Sequence, residues 1–192
     1  MVVGDAGDPA AVRDALAGAD AVIHLAARPA PTSGTPLEVF AGNTRATFTV
    51  LESAGAAGVR RAVIASSYSA NGLPWRREMM PPAYLPVDEQ LPSAVEDPYA
   101  LSKQTDELTA SMMARRHGLT VVALRYPYVG GVEERLAAHA RDLARDPSRG
   151  VRDLWSYLDV RDAARAALGA LSAATRLFGF TARYPLPVEP LR

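Results

Sequence analysis

Short apolar runs alternate with longer helical stretches along the 192-residue chain. Residues 21–25 (Ala-Val-Ile-His-Leu), 61–65 (Arg-Ala-Val-Ile-Ala), 120–124 (Thr-Val-Val-Ala-Leu) and 154–158 (Leu-Trp-Ser-Tyr-Leu) read as buried strands bounded by turn residues. Helices fill the intervals. Asp8-Pro9 opens one that closes at Gly18. Thr35-Pro36-Leu37-Glu38 is a capping box, and the helix it starts carries Leu37, Phe40, Thr44, Phe48 and Leu51 and ends near Gly58. Asp97 and Pro98 cap a third helix that runs to about Arg116, with Gly118 as its stop signal. Two more are predicted over residues 133–145 and from Asp159 through Leu171. A proline-rich loop spans residues 72–98, residues 177–180 make one more strand, and the prolines after Tyr184 give an irregular end.

Strands that are apolar throughout, separated by helices, predict an α/β fold: a doubly wound parallel sheet with helices on both faces. An all-helical bundle would not place β-branched runs between its helices, and an all-β fold lacks its hairpin turns here.

Composition narrows the function classes. Twenty-one basic and twenty-one acidic side chains leave no net charge, so neither nucleic acid nor an anionic membrane surface is an expected partner. The arginine doublets at 60–61, 76–77 and 115–116 read as solvated surface. There is no cysteine, which excludes disulfides, thiolate catalysis and zinc-thiolate sites and is compatible with a reducing cytoplasm, the expected location. No apolar run approaches the ~20 residues of a membrane span. The start of the chain lacks the basic and apolar regions of a signal peptide.

Lysine occurs once, at Lys103, four residues after Tyr99. Codon bias toward arginine would also make lysine rare. The chemical reading is an acid/base pair. Four residues advance a helix by about 400°, so the two side chains share a face, with Leu101, Leu108 and Met112 expected on the opposite, core-facing stripe. A free tyrosine titrates near ~10. An adjacent ammonium stabilises its phenolate and lowers that value, making Tyr99 a plausible acid/base for a hydroxyl or carbonyl. Arginine, never deprotonated and broad, cannot replace the lysine.

Other marks fall in order around this pair. Asp5 follows Gly4, and His24-Leu25-Ala26-Ala27 ends a strand. Asn43 lies in the next helix, and Ser66-Ser67 ends the following strand. Arg125-Tyr126-Pro127-Tyr128-Val129-Gly130 closes the strand after the Tyr99 helix. With the runs 84–89 (Tyr-Leu-Pro-Val-Asp-Glu) and 158–162 (Leu-Asp-Val-Arg-Asp), the ordered set resembles the extended short-chain dehydrogenase/reductases, the NAD-dependent epimerase/dehydratase group. The resemblance covers the chain from Val2 to about Leu171. It implies a Rossmann-like NAD(P)-binding fold, NAD or NADP as cofactor, and an oxidoreductase or epimerase acting on a sugar nucleotide or similar small molecule. It also suggests a homodimer. Ser67 would hydrogen-bond the reacting oxygen, Tyr99 would be the acid/base, and Lys103 would hold the nicotinamide ribose. Asp5 would meet the adenine, Ala26 and Ala27 would lie along the cofactor, and Pro127, Tyr128 and Val129 would border the nicotinamide. Asn43 has an equally good structural reading, and His24 reads as a satisfied core histidine. Trp75, Arg76 and Arg77 are as well explained by loop surface as by substrate contact.

The family's opening strand, Gly-x-x-Gly-x-x-Gly turn and helix have no counterpart here, and Gly4 and Gly7 have the wrong spacing. The expectation is therefore an incomplete Rossmann-like domain over residues 1–176 and a tail, 177–192, left from a substrate-binding region. Four parallel strands, from Ala21, Arg61, Thr120 and Leu154, are expected in the sheet. The Ala21 strand would be an open edge that Val2 and Val3 do not cover. Against the enzyme stands a second reading: an inactive, dimerising remnant that binds cofactor poorly.

Overall fold

In a computed structural model, residues 3–172 and 178–181 are described. The elements are α1 (Pro9–Leu16), β1 (Ala21–His24), α2 (Pro36–Ala56), β2 (Arg61–Ser67), α3 (Pro98–His117), β3 (Thr120–Tyr126), β4 (Tyr128–Gly130), α4 (Ala137–Arg145), β5 (Tyr157–Asp159), α5 (Val160–Ser172) and β6 (Phe178–Thr181). The predicted caps are present. Asp8 accepts from Ala10 N, Thr35 and Glu38 close a reciprocal capping box, and Asp97 accepts from Ala100 N at 2.8 Å. Gly118 ends α3 in the left-handed region at φ 71°, where a Cβ would be strained.

The main sheet is parallel, in the order β1-β2-β3-β6. Alternation along its strands builds two apolar layers. Ala62, Ile64, Val121 and Ala123 face Leu51 of α2 and Ala110 and Met113 of α3. Val63, Val122 and Leu124 face Ala167 of α5 on the other side. Helices thus cover both faces, as the uniformly apolar strands require.

Two expectations are corrected. The strand expected from Leu154 does not join the main sheet. Leu154 and Trp155 adopt left-handed backbone (φ 52° and 53°), the strand starts only at Tyr157, and it pairs with β4 in a separate parallel ribbon. Pro127, which has no N–H for a ladder, separates β4 from β3. The position beside β3 goes to β6, the predicted tail strand; residues 182–192 of that tail lie outside the described residues.

The second correction concerns α3. Its buried face is small and polar and includes Tyr99, Ser102, Lys103 and Asp106 beside Ala110 and Met113. Leu101 and Leu108 point to solvent at 45% and 71% exposure, and only Met112 of the expected stripe packs partly against the core. On α2 likewise, Leu37 and Phe48 are exposed while Val39, Asn43, Thr47 and Val50 are buried. The helices pack on each other as well as on the sheet, and close approach at those contacts selects small and polar side chains.

The open edge is as expected. Among the described residues β1 pairs only with β2, and Val3 is 89% exposed with no strand pairing. Val2 lies outside the described residues. No helix among the described residues is long and apolar enough to cross a membrane.

Candidate functional site

The carboxyl ends of β1, β2 and β3 and the first turns of α3 enclose a cleft of about 710 Å³. Ser67, Tyr99 and Lys103 line it together with Ala27, Pro127, Tyr128 and Val129. Residues from four stretches of sequence therefore meet where a parallel α/β sheet offers its ligand crevice. Asp5 and Ala26 line a different groove, of about 410 Å³, along the open edge of β1. Leu25 borders both spaces, so the two meet at the end of β1.

Local chemistry sets each position. Ser67 ends β2, and its Oγ accepts from Ser69 N at 3.1 Å in the short 3-10 turn that follows. Gly72 then turns the chain at φ 84°, where a Cβ would stand 2.4 Å from the Ala94 carbonyl oxygen. The two serines divide their work by strand alternation. Ser66 Oγ donates to Glu107 at 2.6 Å, while Ser67 bonds the Tyr99 hydroxyl. Glu107 also accepts a bidentate pair from Arg125, Nε and Nη2 each at 2.8 Å, with both side chains largely buried. This clamp ties α3 to β3 and to the end of β2, and so fixes Tyr99 relative to Ser67.

Lys103 is 4% exposed. Its Nζ donates to Ala65 O at 2.8 Å, stands 3.6 Å from Asp106 Oδ2, and lies 5.8 Å from the centre of the Tyr99 ring. Burial lowers the Lys103 pKa, and Asp106 and Glu107 raise it in partial compensation. Tyr99 departs from expectation: burial pushes its phenol up, Ser67 pulls it down, and Asp106 and Asp97 push it up again. The Lys103 ammonium also bonds Ala65 O and pairs with Asp106, so it is shared among these groups.

Asn43 takes its structural role. It is buried, accepts from Arg28 N at 2.7 Å, and donates to Arg28 O and Ser102 Oγ at 3.2 and 3.0 Å. It thereby holds the backbone just after Ala26 and Ala27. His24 is a core histidine as predicted, with Nε2 at 3.3 Å from Thr47 Oγ1. Burial, then the Lys103 charge, lowers its pKa to about 4. Of the loop residues, Trp75 reaches the cleft; Arg76 and Arg77 do not line it. Among the described residues no cluster of three or more His, Asp or Glu could hold a metal ion.

Sequence reading missed one wall of the cleft. Arg135, Arg149 and Arg152 line it beside Asp153. Arg135 lies over the Tyr128 ring at 4.8 Å, and Tyr128 stacks on His139 at 4.4 Å. These arginines are isolated in sequence rather than paired as in the doublets, although the run 145–153 (Arg-Asp-Pro-Ser-Arg-Gly-Val-Arg-Asp) was a usable signal.

The model of the NAD dependent epimerase/dehydratase family matches residues 1–177. The chain is 30% identical over 159 residues to an L-arabinose 1-dehydrogenase (NAD(P)(+)) of Haloferax volcanii, covering 80% of this chain and 61% of that protein. It resembles the crystal structure of a UDP-galactose 4-epimerase (TM-score 0.65, 31% identity, 88% of this chain and 55% of that one). It also resembles a short-chain dehydrogenase/reductase superfamily protein from Agrobacterium tumefaciens with bound NAD (TM-score 0.68, 26% identity, 90% and 62%). The chain thus spans less than two thirds of the length of these proteins. With the motif order and the parallel sheet, the match over residues 1–177 means that this chain belongs to the NAD dependent epimerase/dehydratase family.

Proposed function

We propose that this chain carries the acid/base half of an NAD(P)-dependent oxidoreductase or epimerase acting on a carbinol or carbonyl of a sugar nucleotide or similar polyhydroxylated compound. The observation that carries the proposal is the convergence of Ser67, Tyr99 and Lys103 in one cleft at the carboxyl ends of the strands. The cleft fits the nicotinamide-ribose half of a dinucleotide: Lys103 offers a buried ammonium, and Pro127, Tyr128 and Val129 offer a wall. Asp5 and Ala26 offer the adenine half a place along β1. When bound, the dinucleotide supplies a hydride acceptor and donor. In the oxidative direction the Tyr99 phenolate takes the substrate hydroxyl proton while Ser67 donates a hydrogen bond to the same oxygen. Lys103 favours the phenolate and orients the ribose. Arg135, Arg149 and Arg152 suit a substrate with an anionic group, phosphate or carboxylate.

The assembly we propose is a homodimer. Leu37 and Phe48 on α2 and Leu101 and Leu108 on α3 recur at helical spacing and are all exposed, giving two adjoining helices an outward apolar stripe.

A second reading keeps the fold and drops the activity. Among the described residues no glycine-rich strand-turn-helix cradles a pyrophosphate, which is otherwise bound at a helix N-terminus. On that reading the chain binds NAD and NADP weakly. Calorimetric titration with each dinucleotide, followed by assays of dinucleotide reduction across a panel of sugars and sugar nucleotides, separates the two. Turnover that disappears in Tyr99→Phe, with the fold intact by circular dichroism, supports the enzyme. Turnover within a few-fold of wild type in Tyr99→Phe sinks the acid/base assignment. Absent dinucleotide binding together with absent turnover supports the remnant.

A further inference from the structure

Lys103 has a buried partner that the proposed mechanism does not use. Asp106 sits one turn further along α3 and is 1% exposed. Its Oδ2 is 3.6 Å from Lys103 Nζ, its carboxylate takes a hydrogen bond from Thr47 of α2, and its Oδ1 has no partner. A buried carboxylate with an unsatisfied oxygen is costly. A leucine or alanine would fill this position without that cost.

Resting on the reading of Lys103 given above, we propose that Asp106 is a positioning residue: the buried counter-ion that keeps the Lys103 ammonium charged and holds it at the floor of the cleft. The neighbouring groups leave it that role. His24 of β1, behind Thr47, is held neutral by burial. Glu107 on the same helix is bound by Arg125 of β3 and by Ser66. Asp97 accepts from the first turn of α3, and Tyr99 faces Ser67. On α2 the facing side chains, Asn43 and Thr47, do not titrate. Asp106 is therefore the one acid in contact with Nζ among the described residues. Lys103 is drawn two ways, by burial toward the neutral amine and by Asp106 toward the ammonium. The proposed mechanism needs the ammonium.

The chain's single lysine makes the test direct. Protein grown with ¹³C-labelled lysine gives one set of side-chain resonances, whose ¹³Cε shift reports Lys103 ionisation without cofactor, substrate or turnover. In Asp106→Asn, which keeps shape and the Thr47 contact, the Lys103 pKa falls by roughly one unit or more, the usual effect of an adjacent opposite charge. Wild type also shows a small step in the same resonance near the Asp106 titration, at about 6, where burial holds that carboxyl; Asp106→Asn abolishes it. Should Asp106→Asn not fold, Thr47→Val removes the carboxylate's anchor and leaves its charge, so the step shifts while remaining present. A Lys103 titration unchanged in Asp106→Asn, or a wild-type curve with no acid step, overturns the proposal. Because nothing is turned over, a failed titration indicts Asp106 alone, whereas inactivity with the expected titration indicts the enzymatic reading.

Discussion

Replacing the histidine at position 24 by glutamine should make this protein markedly less sensitive to acid. His24 is buried, and its ring is held near 4 against an ordinary value of 6.5. Between those values the unfolded chain binds a proton that the native chain does not, so acid favours unfolding. The stability linked to His24 is fully present above about 6.5 and is lost as pH falls through about 4. At ~1.4 kcal/mol per pH unit, the difference amounts to about 3 kcal/mol. The replacing glutamine is uncharged throughout and reaches Thr47 Oγ1, which His24 Nε2 approaches at 3.3 Å. Asp106 works with the opposite sign: its pKa, raised to about 6, makes acid stabilising between that value and 3.8. It is common to both proteins and drops out of the comparison. The assay is urea unfolding of wild type and His24→Gln followed by circular dichroism at about pH 7 and about pH 4. The stability of His24→Gln relative to wild type should rise by about 3 kcal/mol over that interval. Parallel pH profiles would refute the reasoning and place a charged, solvated His24 in the native state.

Glu107→Gln should cost about 3 kcal/mol, because it removes the bidentate carboxylate from the largely buried Arg125 guanidinium; an unchanged urea midpoint would show that the clamp contributes nothing. Gly72→Ala should destabilise by ~2 kcal/mol or more, through its positive φ and a Cβ driven onto the Ala94 carbonyl, read as a lowered thermal midpoint. Leu108→Glu, on the exposed face of α3, should leave the fold intact and convert a dimer to a monomer by sedimentation velocity; a monomeric wild type would remove the proposed assembly.

The caps, the strands from Ala21, Arg61 and Thr120 and the motif order were legible in the chain because each rests on local chemistry. Asp97 and Pro98 start a helix wherever they stand, and a run such as residues 61–65 is strand-forming in any sheet. Residue type alone was also enough to single out Lys103 and Tyr99. Long-range packing decided the rest. Leu101 and Leu108 lost the core to Ser102 and Asp106 because α3 lies close against α2 and the sheet, where side-chain size outweighs hydropathy. The strand beside β3 was set by competition between two distant segments, which Pro127 and the left-handed turn at Leu154 settle in favour of β6. The Glu107–Arg125 clamp and the Asp106 counter-ion join residues from separate elements or buried helix faces, so no local pattern announces them, and of the arginine wall only the run 145–153 gave a local signal. Burial and Asp106 bear on both Tyr99 and Lys103, and Glu107 on Lys103, because a titrating group answers to the charges and solvent around it in three dimensions. Sequence alone therefore identified the candidate reacting groups, and the fold determined their charges and their partners.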